Sequence, residues 1–199
     1  MRSFNMTDKE ILNIFKECRA LKEGHFLLSS GLHSGKYLQA ASVLKYPDKA
    51  EVLCKELVKR LEDKDIDVVL SAAIGGIVLS YEVAKLLGAR SIFAERQNDK
   101  MTLRRDFSIK SGENVLIVED VFTTGKSVRE LVDIVKKSNA SLKAVAVLVD
   151  RSKKPVFKDL RFVSLLKLDI KTYEQKECPL CKKGLPIDKP GSRKIFKYL

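Results

Sequence analysis

Between residues 67 and 168 the chain alternates short, uninterrupted apolar runs with segments of helical periodicity. Strands that are apolar on both faces are typical of a parallel sheet covered by helices on each side. This alternation therefore predicts an α/β fold, in which ligands bind beyond the carboxyl ends of the strands, where loops lead into helix N-termini. The predicted strands are residues 67–71, 91–94, 114–118, 144–149 and 162–168.

Two helices are predicted before the first of these strands. Thr7 and Glu10 form a capping-box pattern ahead of an apolar helical stretch, and Pro47 opens a second helix. Between the two helices, residues 24–37 are rich in glycine and serine, which breaks the helical pattern. We therefore expect a turn-rich segment there.

The length and the apolar runs limit the class of protein. The 199 residues suffice for one well-buried core and are too few for two typical enzyme domains. No apolar run approaches the length that crosses a bilayer, and residues 1–10 lack the apolar stretch of a secretory signal. We therefore expect a single-domain cytoplasmic protein without a membrane partner.

The formal net charge of +12 needs a physical reason. The lysines are scattered along predicted helix faces, and no aromatic side chains interleave with a basic stripe of the kind that stacks on bases. Solvated faces account for most of this charge. A small, strongly anionic substrate explains the remainder at least as well as nucleic acid does.

Four cysteines occur in the chain. Cys18 and Cys54 lie in helical apolar patterns and are interpreted as core residues. Cys178 and Cys181 have metal-ligand spacing, but no second pair or nearby histidine completes a four-ligand zinc site. We expect two reduced thiols in a C-terminal turn, while a zinc site shared between subunits and a redox pair stay open.

The segment with the most chemical content follows the third predicted strand. Glu119 and Asp120 come first, and Thr123, Thr124 and Gly125 then open a helix. Free N–H groups at a helix start attract phosphate, and glycine permits close approach of the backbone. The two carboxylates repel phosphate, so they suit the vicinal hydroxyls of a sugar or a divalent metal on it. Together the segment predicts a site for ribose 5-phosphate.

This segment lacks the spacing of the Walker loop and of the dinucleotide-binding fingerprint. Residues 115–127 resemble instead the phosphoribosyl pyrophosphate (PRPP) signature of type I phosphoribosyltransferases, in which an apolar strand precedes two acids and a threonine- and glycine-containing turn. Among these enzymes the chain is most similar to those that act on orotate, from about residue 24 to residue 193.

The resemblance implies a parallel-sheet type I phosphoribosyltransferase fold with a small hood formed by the N-terminal and C-terminal segments. One domain, 1–199, is expected, with a core at about 48–168 and a hood at 1–47 and 169–199. In the family a loop between two strands covers the site of the neighbouring subunit. A homodimer is therefore expected, with residues 95–107 as a lid shared across subunits.

The resemblance also implies roles for individual residues. Lys100, Arg96 and Asp120 are expected to be catalytic, and Arg104 or Arg105 to add positive charge to the lid. The residues expected to bind PRPP are Gly75, Gly76, Arg96, Lys100, Glu119, Asp120, Val121, Phe122, Thr123, Thr124, Gly125, Lys126 and Ser127.

Orotate is expected to lie between the turn-rich segment and the end of the strand at 144–149. Orotate differs from uracil by a carboxylate, and the arginine fork makes two parallel hydrogen bonds to such a group. The resemblance implies that Thr123, Arg151, Ser30 and Tyr37 bind orotate.

The activity implied is the transfer of ribose 5-phosphate from PRPP to orotate, which gives orotidine 5-phosphate and pyrophosphate on the route to UMP. Mg²⁺ is the expected cofactor, held mainly by PRPP and water, with no direct protein ligand. Two alternatives stay open: a phosphoribosyltransferase for a purine base, and a nucleic-acid-binding regulator on the same fold.

Overall fold

A computed structural model describes residues 5–28, 30–157 and 159–190 of the protein. They form a six-stranded sheet, which we call the core sheet, and a three-stranded sheet, which we call the hood sheet. No helix within these ranges is both long and apolar enough to cross a bilayer. In chain order the elements are α1 (Asp8–Glu17), β1 (Leu21–Leu27), β2 (His33–Leu38), α2 (Ala41–Leu44), α3 (Pro47–Lys59), β3 (Val68–Ala72), α4 (Ile77–Leu87), β4 (Arg90–Gln97), β5 (Lys100–Leu103), β6 (Asn114–Phe122), α5 (Lys126–Lys137), β7 (Ser141–Asp150), β8 (Phe162–Lys167), β9 (Thr172–Tyr173) and α6 (Pro179–Lys182).

The core sheet has the strand order β5-β4-β3-β6-β7-β8, and neighbouring strands run parallel except for β4 and β5. Leu116 and Val118 of β6 share a buried cluster with residues of α3 and α4. Val115 and Ile117 belong to a second cluster, which includes the apolar face of α5. Burying each such side chain contributes roughly 1.5–3 kcal/mol. The predicted α/β fold with a mostly parallel sheet is confirmed.

The hood sheet combines segments from both ends of the described chain. β1 and β2 form an antiparallel hairpin, and β9 pairs with the start of β2. Beyond α6 the chain returns to β1, where the Leu27 amide donates to the Asp188 carbonyl at 2.8 Å. The proposed boundaries between core and hood stay predictions, and residues 1–4 and 191–199 lie outside the described part.

The two helix starts predicted in the N-terminal half are confirmed. The capping box is confirmed, because the Thr7 amide donates to the Glu10 carboxylate at 2.8 Å, and Pro47 begins α3. Two segments are more regular than predicted. Residues 24–37 contribute to β1 and β2, and residues 95–107 include the β4–β5 hairpin. Cross-strand hydrogen bonds organise both segments, although their side chains show no clean apolar alternation.

The expectation that no histidine lies near Cys178 and Cys181 is wrong. His25 of β1 and His33 of β2 lie beside the two cysteines, and one ligand atom from each of the four residues falls within 4.8 Å of the others. His25 and Cys178 are 153 residues apart in sequence, so no local spacing reveals the cluster.

Candidate active site

Residues 119–127 comprise the end of β6, the connecting turn and the start of α5, at the carboxyl edge of the core sheet. Phe122 ends β6 and packs its ring 4.9 Å, between centroids, from that of Phe162. Gly125 is the N-cap of α5 with a φ of +73°, and a Cβ there would approach the Phe122 ring to 2.8 Å. The tight turn brings the first N–H groups of α5 beside the exposed Thr123 and Thr124, an arrangement that binds phosphate.

Glu119 and Asp120 are half-buried at the end of β6. Burial raises the pKa of Glu119 to about 8, and the neighbouring Asp120 carboxylate adds to this rise. Burial also raises the pKa of Asp120, although the Val121 amide, which donates to Asp120 Oδ1 at 2.8 Å, acts in the opposite direction. A ligand that offers hydroxyl donors or positive charge would restore the ionised pair.

The β3–α4 turn lies directly against these carboxylates. A Cβ at Gly75 would come within 2.8 Å of Asp120 Oδ2, and a Cβ at Gly76 would come equally close to the Cβ of Ser71. The peptide bond between Ala73 and Ile74 in this turn is cis. Because a Cβ at Gly75 would collide with Asp120, only glycine allows the turn to approach that carboxylate so closely.

A cavity of about 530 Å³, which we call the carboxylate cavity, lies between this turn and the start of α5. Three carboxylates, including that of Asp99, and two cationic side chains line one space, which suits a ligand that carries both hydroxyl groups and anionic oxygens. Its lining includes seven of the predicted PRPP-binding residues: Gly75, Gly76, Arg96, Glu119, Asp120, Lys126 and Ser127.

A second cavity, of about 1130 Å³, lies between the core sheet and the hood sheet, and we call it the arginine cavity. All four residues predicted to bind orotate line it: Ser30, Tyr37, Thr123 and Arg151. Thr124 also lines this cavity, so the 119–127 segment contributes to both.

Arg151 is the most unusual group in the arginine cavity. Its Nε is buried and has no hydrogen-bond partner among the described residues. Burial lowers the pKa of Arg151, while interaction with Tyr37 raises it. Guanidinium remains charged in proteins, so a carboxylate at this position would supply both a hydrogen bond and the opposite charge.

The β4–β5 hairpin and the residues directly after it carry the other predicted cations of the lid. Arg96 donates to the Asp99 carbonyl at 2.6 Å and forms an ion pair with Glu130 of α5 at 3.2 Å. Lys100 is exposed and is not among the residues that line either cavity. Arg105 pairs with Glu95 at 2.9 Å.

Four residues predicted to bind PRPP, namely Val121, Phe122, Gly125 and Lys100, line neither cavity. The first three lie in the strand end and turn that hold the exposed threonines. Five polar residues of the arginine cavity were not predicted from the sequence: Ser152, Lys153, Lys154, Thr172 and Lys189. The lysine pair directly follows Arg151 and Ser152, and this basic run was the available signal. No local sequence pattern predicts that Thr172 and Lys189 line this cavity.

Comparisons with known proteins agree with this geometry. Residues 43–178 match the family model of the phosphoribosyl transferase domain. The chain is 53% identical over 189 residues to the orotate phosphoribosyltransferase of Caldicellulosiruptor bescii, an alignment that covers 95% of this chain and 100% of the relative.

Two crystal structures extend the comparison to the fold. The orotate phosphoribosyltransferase of Aeropyrum pernix matches with a TM-score of 0.70 at 22% identity, over 79% of this chain and 93% of that chain. The adenine phosphoribosyltransferase of Rhodothermus marinus matches with a TM-score of 0.66 at 17% identity, over 80% and 99%. Enzymes named for different bases therefore share this fold.

Proposed function

The chain belongs to the phosphoribosyltransferase family, and on that premise we propose that it transfers ribose 5-phosphate from PRPP to orotate. The products are orotidine 5-phosphate and pyrophosphate, and the reaction serves pyrimidine biosynthesis. The reaction class is supported by the family match at residues 43–178 and by the 53% identity to an orotate enzyme. The observation that carries the choice of base is the buried Nε of Arg151 in the arginine cavity, which has no hydrogen-bond partner in the described part of the chain.

Orotate binds in the arginine cavity in this proposal. Its carboxylate pairs with Arg151. The hydroxyls of Ser30, Tyr37 and Thr123 form hydrogen bonds with the oxygens and nitrogens of its ring. A buried charge without a partner is costly, so the site favours a base that brings a carboxylate over one that does not. Purine bases lack this group and would leave the guanidinium unpaired.

PRPP spans both cavities in this proposal. Its 5-phosphate binds at the N-terminus of α5, where free N–H groups, Thr123, Thr124 and Ser127 converge. Its ribose hydroxyls donate to Glu119 and Asp120, and such hydrogen bonds favour the ionised carboxylates. The pyrophosphate lies along the β3–α4 turn, whose glycines admit the backbone close to an anion.

The protein lowers the activation barrier of the transfer by placing charged side chains beside the atoms whose charge changes during the reaction. Loss of pyrophosphate leaves positive charge on the ribose ring and adds negative charge to the departing group. Glu119 and Asp120 lie on the ribose side of the carboxylate cavity in this arrangement, and Arg96 and Lys126 neutralise the departing group. Orotate and PRPP meet beside Thr123, which holds the reacting atoms together.

The carboxylate cavity also fits the expected Mg²⁺. Half-buried paired carboxylates with raised pKa values suit a divalent cation that approaches with its water shell and a polyphosphate. When bound through PRPP and water, the ion would neutralise pyrophosphate oxygens. Glu119 and Asp120 would hold it indirectly, through the ribose hydroxyls and water.

A homodimer with shared lids is part of the proposal. Lys100 is exposed and lines neither cavity of its own chain, which supports a role for this lysine in a neighbouring subunit. Ile74, Val78 and Tyr81 are 85%, 48% and 65% exposed, and the last two lie about one turn apart on α4. A second copy of the chain would cover these apolar side chains. The cytoplasmic location stays a prediction from the sequence.

The reaction is tested by spectrophotometric assay of orotate with PRPP and Mg²⁺, beside adenine, hypoxanthine and xanthine. We expect turnover of orotate alone. Turnover of a purine base without turnover of orotate would overturn the proposed substrate.

The shared lid is tested by mixing two inactive variants, Lys100→Ala and Asp120→Asn, and allowing subunits to exchange. If Lys100 acts across the dimer, one site of each mixed dimer is intact. Random exchange then restores about a quarter of wild-type activity. If Lys100 acts within its own subunit, every site lacks one residue and activity stays at the level of the separate variants.

A further inference from the structure

The hood sheet contains a cluster of soft ligands that the proposed reaction does not use. It consists of His25, His33, Cys178 and Cys181, and we call it the histidine–cysteine cluster. These are both histidines of the chain and two of its four cysteines. His25, His33 and Cys178 are almost completely buried, at 5%, 4% and 0% exposure. Histidine and cysteine are rare in this chain, and both are common metal ligands, so their grouping here indicates a bound metal ion.

Three sulfur–nitrogen distances within the cluster match the edges of a tetrahedral zinc site. Cys178 Sγ and Cys181 Sγ each lie 3.6 Å from His25 Nε2, and Cys181 Sγ lies 3.3 Å from His33 Nδ1. The two ring nitrogens are 2.9 Å apart. Zinc bond lengths predict about 3.6 Å between sulfur and nitrogen ligands and about 3.3 Å between two nitrogens. Of these four distances, only the one between the two nitrogens must lengthen to admit an ion, by a few tenths of an ångström.

The surroundings of His25 prepare it as a ligand. Its Nδ1 lies 2.9 Å from the carbonyl oxygen of Leu185, which can only accept a hydrogen bond. The proton of a neutral His25 ring is therefore on Nδ1, and the lone pair of Nε2 points toward the cluster. Metal-bound histidines typically donate their other ring N–H to a carbonyl or carboxylate in this way.

We infer that the histidine–cysteine cluster binds one structural Zn²⁺, through His25 Nε2, His33 Nδ1 and the two cysteine thiolates. Two thiolates and two neutral imidazoles balance the charge of the ion, and all four positions are filled by protein. Such a closed Cys₂His₂ set is typical of structural zinc and leaves no open position for substrate. The two thiols lose their protons on binding. This inference does not depend on the proposed reaction.

The position of the cluster indicates what the metal would stabilise. His25 of β1 and His33 of β2 lie on either side of the β1–β2 connection, from which Leu28, Ser30, Gly31 and Leu32 line the arginine cavity. Cys178 is the N-cap of α6 and Cys181 lies within it, and beyond α6 the chain pairs with β1 through Asp188. One ion thus joins the β1–β2 hairpin to the C-terminal segment. A sheet of three short strands has little core of its own, and small units of this kind commonly need a metal or disulfide.

The first test measures metal in the whole purified protein. Wild-type chain expressed with zinc in the medium should contain about one zinc per chain by elemental analysis. After removal of zinc by a chelator, Co²⁺ should bind with the visible bands of a tetrahedral site and a thiolate charge-transfer band. Wild-type protein that contains no zinc and gives no such cobalt spectrum would overturn the inference. A hydrogen-bonded cluster without metal and a disulfide between the cysteines both lead to that result.

The second test assigns the ligands. Cys181→Ser should lower zinc affinity by at least about tenfold, whereas Cys18→Ser should retain full zinc content. Cys18 is a matched control, because burial raises the pKa of its thiol and it lies outside the cluster. Should Cys181→Ser fail to fold, nitrogen NMR of the wild type replaces it, since the chain has only two histidines. Zinc-bound nitrogens other than His25 Nε2 and His33 Nδ1 would contradict the assignment, as would undiminished zinc in Cys181→Ser.

Discussion

The core sheet and the hood sheet are stabilised in different ways. The core sheet is buried on both faces, and its central strand β6 contributes side chains to two apolar clusters. The hood sheet has three strands, of which one is only two residues long, and its buried residues include two histidines and a serine. Apolar burial suffices for the first sheet, whereas the second depends on polar contacts between segments that are distant in sequence.

This difference corresponds to a division of labour in the proposed reaction. The residues assigned to PRPP lie mostly at the edge of the core sheet, where strand ends hold them firmly. Orotate is assigned to a cavity that the hood sheet completes with Ser30 and Tyr37. Changes in the core sheet should therefore affect the transfer itself, and changes in the hood sheet should affect binding of the base.

Asp120→Asn should have the largest effect. Loss of one charge from the pair beside the ribose should lower kcat by about 10²–10³-fold, with the KM for orotate little changed, since the hood sheet is untouched. Steady-state kinetics with orotate checks this expectation, and Asp133→Asn, on the exposed face of α5, is the control. If the variant instead mainly raises the KM for orotate, the assignment of transfer to the core sheet and base binding to the hood sheet is wrong.

Arg151→Ala should have the next largest effect, on the base alone. Loss of a charged hydrogen-bonding partner costs about 1.5–3 kcal/mol, which corresponds to a fall of about 10–150-fold in kcat/KM for orotate. The preference for orotate over uracil should shrink by a similar factor. Competition kinetics measures both quantities, and Arg161→Ala, in a surface pair with Glu62, is the control. Unchanged discrimination would remove Arg151 from the base site.

Removal of zinc should have a smaller effect, confined to the hood sheet. If the inferred ion holds the β1–β2 connection in place, its removal should raise the KM for orotate about tenfold and leave the KM for PRPP unchanged. Hydrogen exchange should quicken in β1, β2 and β9 and stay slow in β6. Faster exchange throughout both sheets would mean that the metal stabilises the whole domain.

The last expected effect concerns stability, and it arises at the site in the core sheet. The pKa of Glu119 is raised from 4.5 to about 8, so between these pH values the folded chain holds a proton that the unfolded chain has lost. Stability therefore falls as pH rises through this window, by at most about 1.4 kcal/mol per pH unit. Glu119→Gln removes this loss. Urea unfolding without PRPP should show its advantage over the wild type growing from pH 5 to pH 8, and a constant difference would contradict the raised pKa.

The sequence predicted the core sheet and its loop because their signals are local. Apolar runs marked the strands, and the acids and threonines of residues 119–127 lie in one continuous segment. The residues predicted for the base cavity line it together, although they come from three separate segments. Only the family resemblance connected those segments in advance.

The remainder could not be predicted because it depends on long-range pairing. The histidine–cysteine cluster joins residues 148 to 156 positions apart across its sulfur–nitrogen contacts, and a Cys-x-x-Cys pair alone does not identify its partners. The β4–β5 hairpin was predicted as a loop because its polar side chains hide a regular backbone. Thr172 and Lys189 reach the arginine cavity only after the C-terminal segment folds back.

The strand that carries Arg96 has a mechanical consequence. β4 pairs with β3 through Ala94 and with β5 through Arg96 without interruption, so the hairpin is a direct extension of the central sheet. Its tip cannot swing on a flexible hinge, and any closing movement must twist or bend the strand near Glu95. The ease with which this part of the strand deforms would then govern how fast the hairpin closes and reopens.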